Sequence, residues 1–223
     1  LVAAFTLLAQ VASPVQASTI VVPGAANPWL AGMPNGTNTG YGDVAPDQSP
    51  VLVQGIDLTP GDWVAVSNVT GSVNVGGDWP LYGGDGSTQQ RYGWGPVIDH
   101  TPGAQFSKSN IWVPYSSLLG VFLNDDVPSG AAPSTLYFDT IAARDYLTLS
   151  PELNQVFFIG DGLTSIGIQQ NIFVPFGATR LFLGTMDGWG WYDNMGAFNV
   201  TVVPEPATLL LFSLGGLMLR RKS

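Results

Sequence analysis

Glycine and proline interrupt this chain from end to end, 28 and 17 of them in 223 residues, and no segment ahead of the final twenty residues sustains a helical apolar period. Proline is excluded from helix interiors and glycine weakens them, whereas short strands joined by turns use both. Apolar runs bounded by Gly, Pro and Asp recur at 51–58, 63–66, 118–123, 155–159, 168–174, 179–183 and 197–203. The last alternates cleanly, with Phe198, Val200 and Val202 on one face and Asn199 and Thr201 on the other. The pattern predicts an all-β fold, an antiparallel β-sandwich of jelly-roll type over residues 51–203, with short helical turns near 142–146 and 151–153. No fixed-period repeat is present, which argues against solenoids and propellers.

Residues 18–50 hold few strand-like runs and read as an irregular N-terminal lead-in. Residues 76–105 form a second long polar stretch, and loops of that length in a compact domain are where binding commonly occurs.

Composition removes several function classes. The chain has no cysteine, so disulfides, thiolate metal sites and cysteine nucleophiles are excluded. Between residues 18 and 203 fifteen acids face four bases. Such a surface repels phosphate backbones and attracts cations, which excludes a nucleic-acid partner. Fourteen of the sixteen acids are aspartates, turn formers that are also hard oxygen ligands.

Both ends read as targeting segments. Residues 1–17, LVAAFTLLAQVASPVQA, are apolar and close on small residues at the positions a signal peptidase reads. They are expected to be a secretory signal whose first residues, including a basic start, are missing. At the other end Pro204, Glu205 and Pro206 precede an apolar run from Ala207 to Leu219, followed by Arg220, Arg221 and Lys222. That run is about 20 Å of helix, short for a hydrocarbon core of about 30 Å. The basic cluster would remain cytoplasmic.

The arrangement over 204–223 resembles the PEP-CTERM sorting signal: a Pro-Glu-Pro motif, a short transmembrane helix and an Arg-rich end. The resemblance implies membrane attachment through the tail, processing by an exosortase, and delivery to the cell surface, outer envelope or extracellular matrix of a Gram-negative-type bacterium. A plain membrane anchor that stays in place is the other reading of the same residues.

The segment Arg180 to Val202 reads as strand, loop, strand, and its loop carries Asp187, Asp193 and Asn194. Calcium takes six to eight oxygens, which a loop supplies from short side chains and carbonyls. Turn formation is the plain alternative for the same residues. The segment is similar to the closing strands of the calcium-dependent galactose-binding bacterial lectins of the PA-IL type. On that resemblance Asp187 matches the family's Asp, Asp193 and Asn194 its paired Asn, and Gly196 and Phe198 its Gly and Phe.

The same likeness implies a calcium cofactor held by Asp187, Asp193, Asn194 and the carbonyls of Trp191 and Tyr82. It also implies a galactose-type sugar or extracellular polysaccharide as partner, contacted by Asp187, Asp193, Trp189 and His100. Trp189 and Trp191 would stack on a sugar face or simply fill the loop.

Catalysis is not expected. His100 is the single histidine, and there is no G-x-S-x-G elbow to pair with Asp99 and His100. Nothing in the sequence pairs Asp125, Asp126 or Asp161 across a cleft as glycosidase chemistry requires. The expectation is a non-enzymatic exported module, with a structural matrix protein that binds no sugar as the alternative.

Overall fold

A computed structural model describes residues 17–205. In chain order its strands are β1 (Ser18–Pro23), β2 (Val51–Leu52), β3 (Trp63–Val73), β4 (Val97–Asp99), β5 (Ile111–Pro114) and β6 (Leu118–Leu123). They continue with β7 (Leu136–Tyr137), β8 (Thr148–Leu149), β9 (Val156–Phe158), β10 (Asn171–Phe173), β11 (Arg180–Thr185) and β12 (Gly196–Glu205). A single helical turn, α1 (Ile141–Arg144), is capped by the Thr140 hydroxyl, which accepts the Ala143 N–H at 3.1 Å. The fold is all-β, as the punctuation of the sequence predicts.

The strands form three sheets, ordered β1-β12-β3-β10-β8, β2-β11-β6-β9 and β4-β5-β7. Pairing is antiparallel except for β10 with β8 and β5 with β7. The sheet holding β6 is the middle layer, and β6 (LLGVFL) is buried at every residue. Its period-two geometry sends Leu118 and Phe122 into one core with Leu181, Leu183, Phe198, Val200 and Val202. The intervening Leu119, Val121 and Leu123 enter a second core with Ile111, Val113, Phe182 and Phe158. A strand buried on both faces reads as a continuous apolar run, which is why β6 was legible from sequence with its ends correct.

Three sequence readings change. The lead-in over 18–50 is not irregular throughout: β1 pairs with β12 from Ser18 opposite Val202 to Pro23 opposite Ala197, and turns Val22 into the core. Further along, Trp29 is fully buried in a 3-10 turn capped by Asn27, whose Oδ1 accepts the Trp29 N–H at 2.9 Å. Strand β12 also does not stop at the first proline. It stays opposite β3 through Pro204 and Glu205, paired with Val64 and Trp63. Finally, residues 151–153 form no helix.

Candidate functional site: an aromatic cleft over Asp187

Strand β11 ends at Thr185, where the chain enters the loop 186–195 that returns through β12. Thr185 is held by its hydroxyl, which donates to the Gly24 carbonyl at 2.6 Å. Two residues on, Asp187 Oδ1 accepts the Gly188 N–H at 2.6 Å and the Trp189 N–H at 3.4 Å, an Asx turn that fixes the start of the loop. Residues Trp191–Asp193 then form a 3-10 turn entered through Gly190, whose φ of 74° suits glycine.

A cleft of about 290 Å³ opens above this loop. Its wall is aromatic: Trp79, Tyr92, Trp94, Tyr115, Trp189 and Tyr192 line it, while Asp187 and Asp193 supply its acidic surface. Trp94 and Trp189, each a little over 40 % exposed, lie with ring centroids 5.1 Å apart. Trp79 meets Tyr115 edge-on at 5.0 Å and Tyr92 at 5.5 Å. At the rim Arg91 stacks over Tyr92 at 4.9 Å and donates to Asp78 at 2.9 Å, with the Tyr92 hydroxyl donating to the same carboxylate at 2.8 Å.

Burial pushes the Asp187 carboxyl up to about 7. Hydrogen bonds from Gly188, Asn194 and Trp189 oppose that shift, and the neighbouring Asp193 charge adds to it. Asp193 rests over Gly76, where a Cβ would come within 2.5 Å of the carboxylate and the backbone φ of 86° favours glycine. Asn194 Nδ2 donates to the Gly24 carbonyl at 3.2 Å, while its Oδ1 is buried with no hydrogen-bond partner.

The structure therefore brings Asp187, Asp193, Asn194 and Trp189 into one neighbourhood, and it places the other sequence candidates elsewhere in role. The Trp191 indole is not a sugar platform: it is buried beside Trp29, and its Nε1 donates to the Thr185 carbonyl at 2.9 Å. The Trp191 carbonyl accepts the Asn194 N–H at 3.1 Å. The Tyr82 carbonyl accepts the Val73 N–H at 3.0 Å. His100 is buried, stacked on Trp29 at 3.7 Å, with Nδ1 2.7 Å from the Gly103 carbonyl, and it does not line the cleft. Its ring fills a core between two indoles, which is what an aromatic of that size does when no charged partner reaches it.

Sequence reasoning missed Asp43. Fully buried, it accepts the Tyr192 N–H through Oδ1 at 2.9 Å and the Asn27 amide through Oδ2 at 3.1 Å. Its carboxyl is raised by burial, against the bonds from Asn27, Trp191 and Tyr192. Trp79, Tyr92 and Trp94 were also missed individually, although the long loop that carries them stood out. Three aromatics on a Gly-rich loop, with no strand pattern to bury them, were the signal available.

A calcium ion, implied by the lectin likeness, can be tested against these donors. Asp187, Asp193 and the unpartnered Asn194 Oδ1 are hard oxygen donors of the right kind. The two carbonyls already accept hydrogen bonds, and among the described residues no group of three or more acidic or histidine side chains converges on one point. The loop thus offers such an ion at most two carboxylates and one amide oxygen from its side chains.

Residues 202–222 match the PEP-CTERM protein-sorting motif. The match takes in Pro204, Glu205, Pro206, Arg220 and Arg221. No curated protein and no solved structure matches the chain, and neither comparison supports the lectin likeness. The expected tail helix and nearly all of the expected leader lie outside the described residues. Among the described residues no helix is long and apolar enough to cross a membrane. The sorting motif marks an exported, cell-surface-associated protein that an exosortase processes.

Proposed function

We propose that the β-sandwich is a non-enzymatic carbohydrate-binding module of the cell surface or extracellular matrix, with calcium held by Asp187, Asp193 and Asn194. The observation that carries this reading is the cleft itself: six aromatic side chains stand around a desolvated carboxylate. Apolar C–H faces of a sugar ring pack on aromatic faces, and its hydroxyls need fixed acceptors between them. Trp94 and Trp189 supply the first and Asp187 and Asp193 the second.

The cleft is at the small end of ligand sites and suits one ring of a glycan that continues into solvent. When bound, calcium would neutralise the carboxylates and offer open positions to two sugar hydroxyls. The protein's part is to hold Asp187 through the Gly188 and Trp189 amides and to keep Asn194 Oδ1 free of internal partners.

Calorimetry of the folded protein with calcium and with EDTA, followed by a glycan array that includes galactosides, tests the proposal. Calcium heat that disappears in Asp187→Ala, together with array signals sensitive to EDTA, is the expected result. Calcium heat with a blank array would leave a structural matrix protein, and array binding indifferent to EDTA would leave a lectin without calcium.

A further inference from the structure

The two targeting segments leave the domain at one pole. Ser18, the first residue of β1, lies opposite Val202, and Glu205 lies opposite Trp63 at the start of β3. The cleft is at the other pole, beyond Gly196 at the far end of β12. Ten residues of strand separate the two, about 30 Å.

The Glu205 pole carries aromatic surface. Trp63 and Phe173 are paired in register with ring centroids 3.3 Å apart and planes tilted by 31°, both half-buried. Strand β10 runs on from Phe173 into the turn that holds Phe176, which is 91 % exposed, more than any other large apolar side chain among the described residues. The Gly61 N–H donates to the Val174 carbonyl at 3.1 Å, tying the loop before β3 to this turn.

Chain length decides what this pole faces. Glu205 is still paired with β3, and the apolar run of the tail begins at Ala207, so at most about 7 Å of chain separates the folded sheet from the first residue of the run. The headgroup layer of a bilayer is about 5 to 8 Å deep on each side. A run this short for the hydrocarbon core also draws its flanks inward. An inserted tail therefore leaves no spacer to hold the domain clear of the membrane.

We propose that the Trp63–Phe173–Phe176 pole docks on the lipid headgroup layer while the tail is inserted, with Phe176 entering the interface and the cleft facing away from the membrane. Interfacial aromatics favour that depth. Asp57 and Asp125 lie on loops at the same pole, so the docking prefers zwitterionic to anionic lipid. The inference rests on the tail being a membrane segment, and it is independent of sugar or calcium binding.

The absence of cysteine makes the test direct. The full chain carrying Thr59→Cys, at this pole, or Tyr41→Cys, beside the cleft, is labelled with an environment-sensitive fluorophore and mixed with phosphatidylcholine vesicles. The expected result is flotation of both, with a blue shift and quenching by headgroup-level nitroxide lipid for the Thr59→Cys label only. Phe176→Ser, a surface change, should reduce both signals while flotation and the thermal midpoint stay the same. Adding phosphatidylglycerol at low salt should weaken the shift. Flotation with the Thr59→Cys label still in water overturns the docking and leaves the tail reading intact. Failure to float overturns the tail reading and the docking with it.

Discussion

Asp43 accepts the backbone N–H of Tyr192 at 2.9 Å across 149 residues of sequence, and this bond ties the N-terminal loop to a residue of the cleft wall. Gly42 beside it lies under the Tyr192 ring, where a Cβ would stand 2.9 Å from the ring carbons. Asp43→Ala leaves the Tyr192 N–H and the Asn27 amide without their acceptor in a buried site. The expected cost is about 2 to 3 kcal/mol, read as a lower urea midpoint at unchanged m value. A midpoint unmoved by the substitution would show that the loop and the cleft are not coupled.

His100 predicts acid sensitivity. Burial lowers its pKa from 6.5 to about 4, with the Gly103 carbonyl opposing. The folded protein therefore holds the neutral ring while the unfolded chain takes up a proton. Its stabilising contribution is complete above pH 6.5 and is lost as pH falls from 6.5 towards 4, on the order of 3 kcal/mol in all. His100→Phe should flatten that part of a stability profile measured by denaturant unfolding at several pH values. An equal slope in the variant would assign the acid sensitivity to other groups.

Lys108 is fully buried with its Nζ donating to the Phe106 carbonyl at 3.1 Å. Burial, and secondarily the Arg180 charge, bring its pKa down from 10.5 to about 7. The unfolded chain binds this proton more tightly, so the residue weakens the fold most below pH 7 and progressively less as pH rises to 10.5. Lys108→Met should raise the thermal midpoint at pH 6 and do little at pH 10. The reverse order would mean that the ammonium has a partner worth more than its desolvation.

The neighbouring indoles of Trp94 and Trp189 set the sugar prediction. Trp94→Ala and Trp189→Ala are each expected to weaken glycan binding about two- to tenfold without changing the fold, since both rings are part-exposed. Trp191→Ala, which empties a core site, should instead cost about 3 to 5 kcal/mol of stability. Titrations of whichever glycan the array identifies, beside urea unfolding, separate the two effects. Equal affinity in all three variants would remove the cleft from the binding reaction.

The sequence alone determined what local physics controls. Glycine and proline spacing excludes long helices, the alternation in 197–203 chooses its inward face, and the apolar run of 118–123 is a strand buried on both sides. The sorting motif was legible too, because its recognition depends on order along the chain and needs no folding. The stretch with Asp187, Asp193 and Asn194 was legible as a loop between two strands, while its reading as a calcium site came from the lectin resemblance. Only the tertiary structure decided which groups stand together. Asp43 reaches Tyr192, and Trp94 reaches Trp189, through contacts set by how three sheets stack. His100 and Trp191, alike in sequence to cleft residues, are buried because both pack against Trp29. Side-chain direction at a loop depends on what packs behind it, and that information is distributed over residues far apart in the chain.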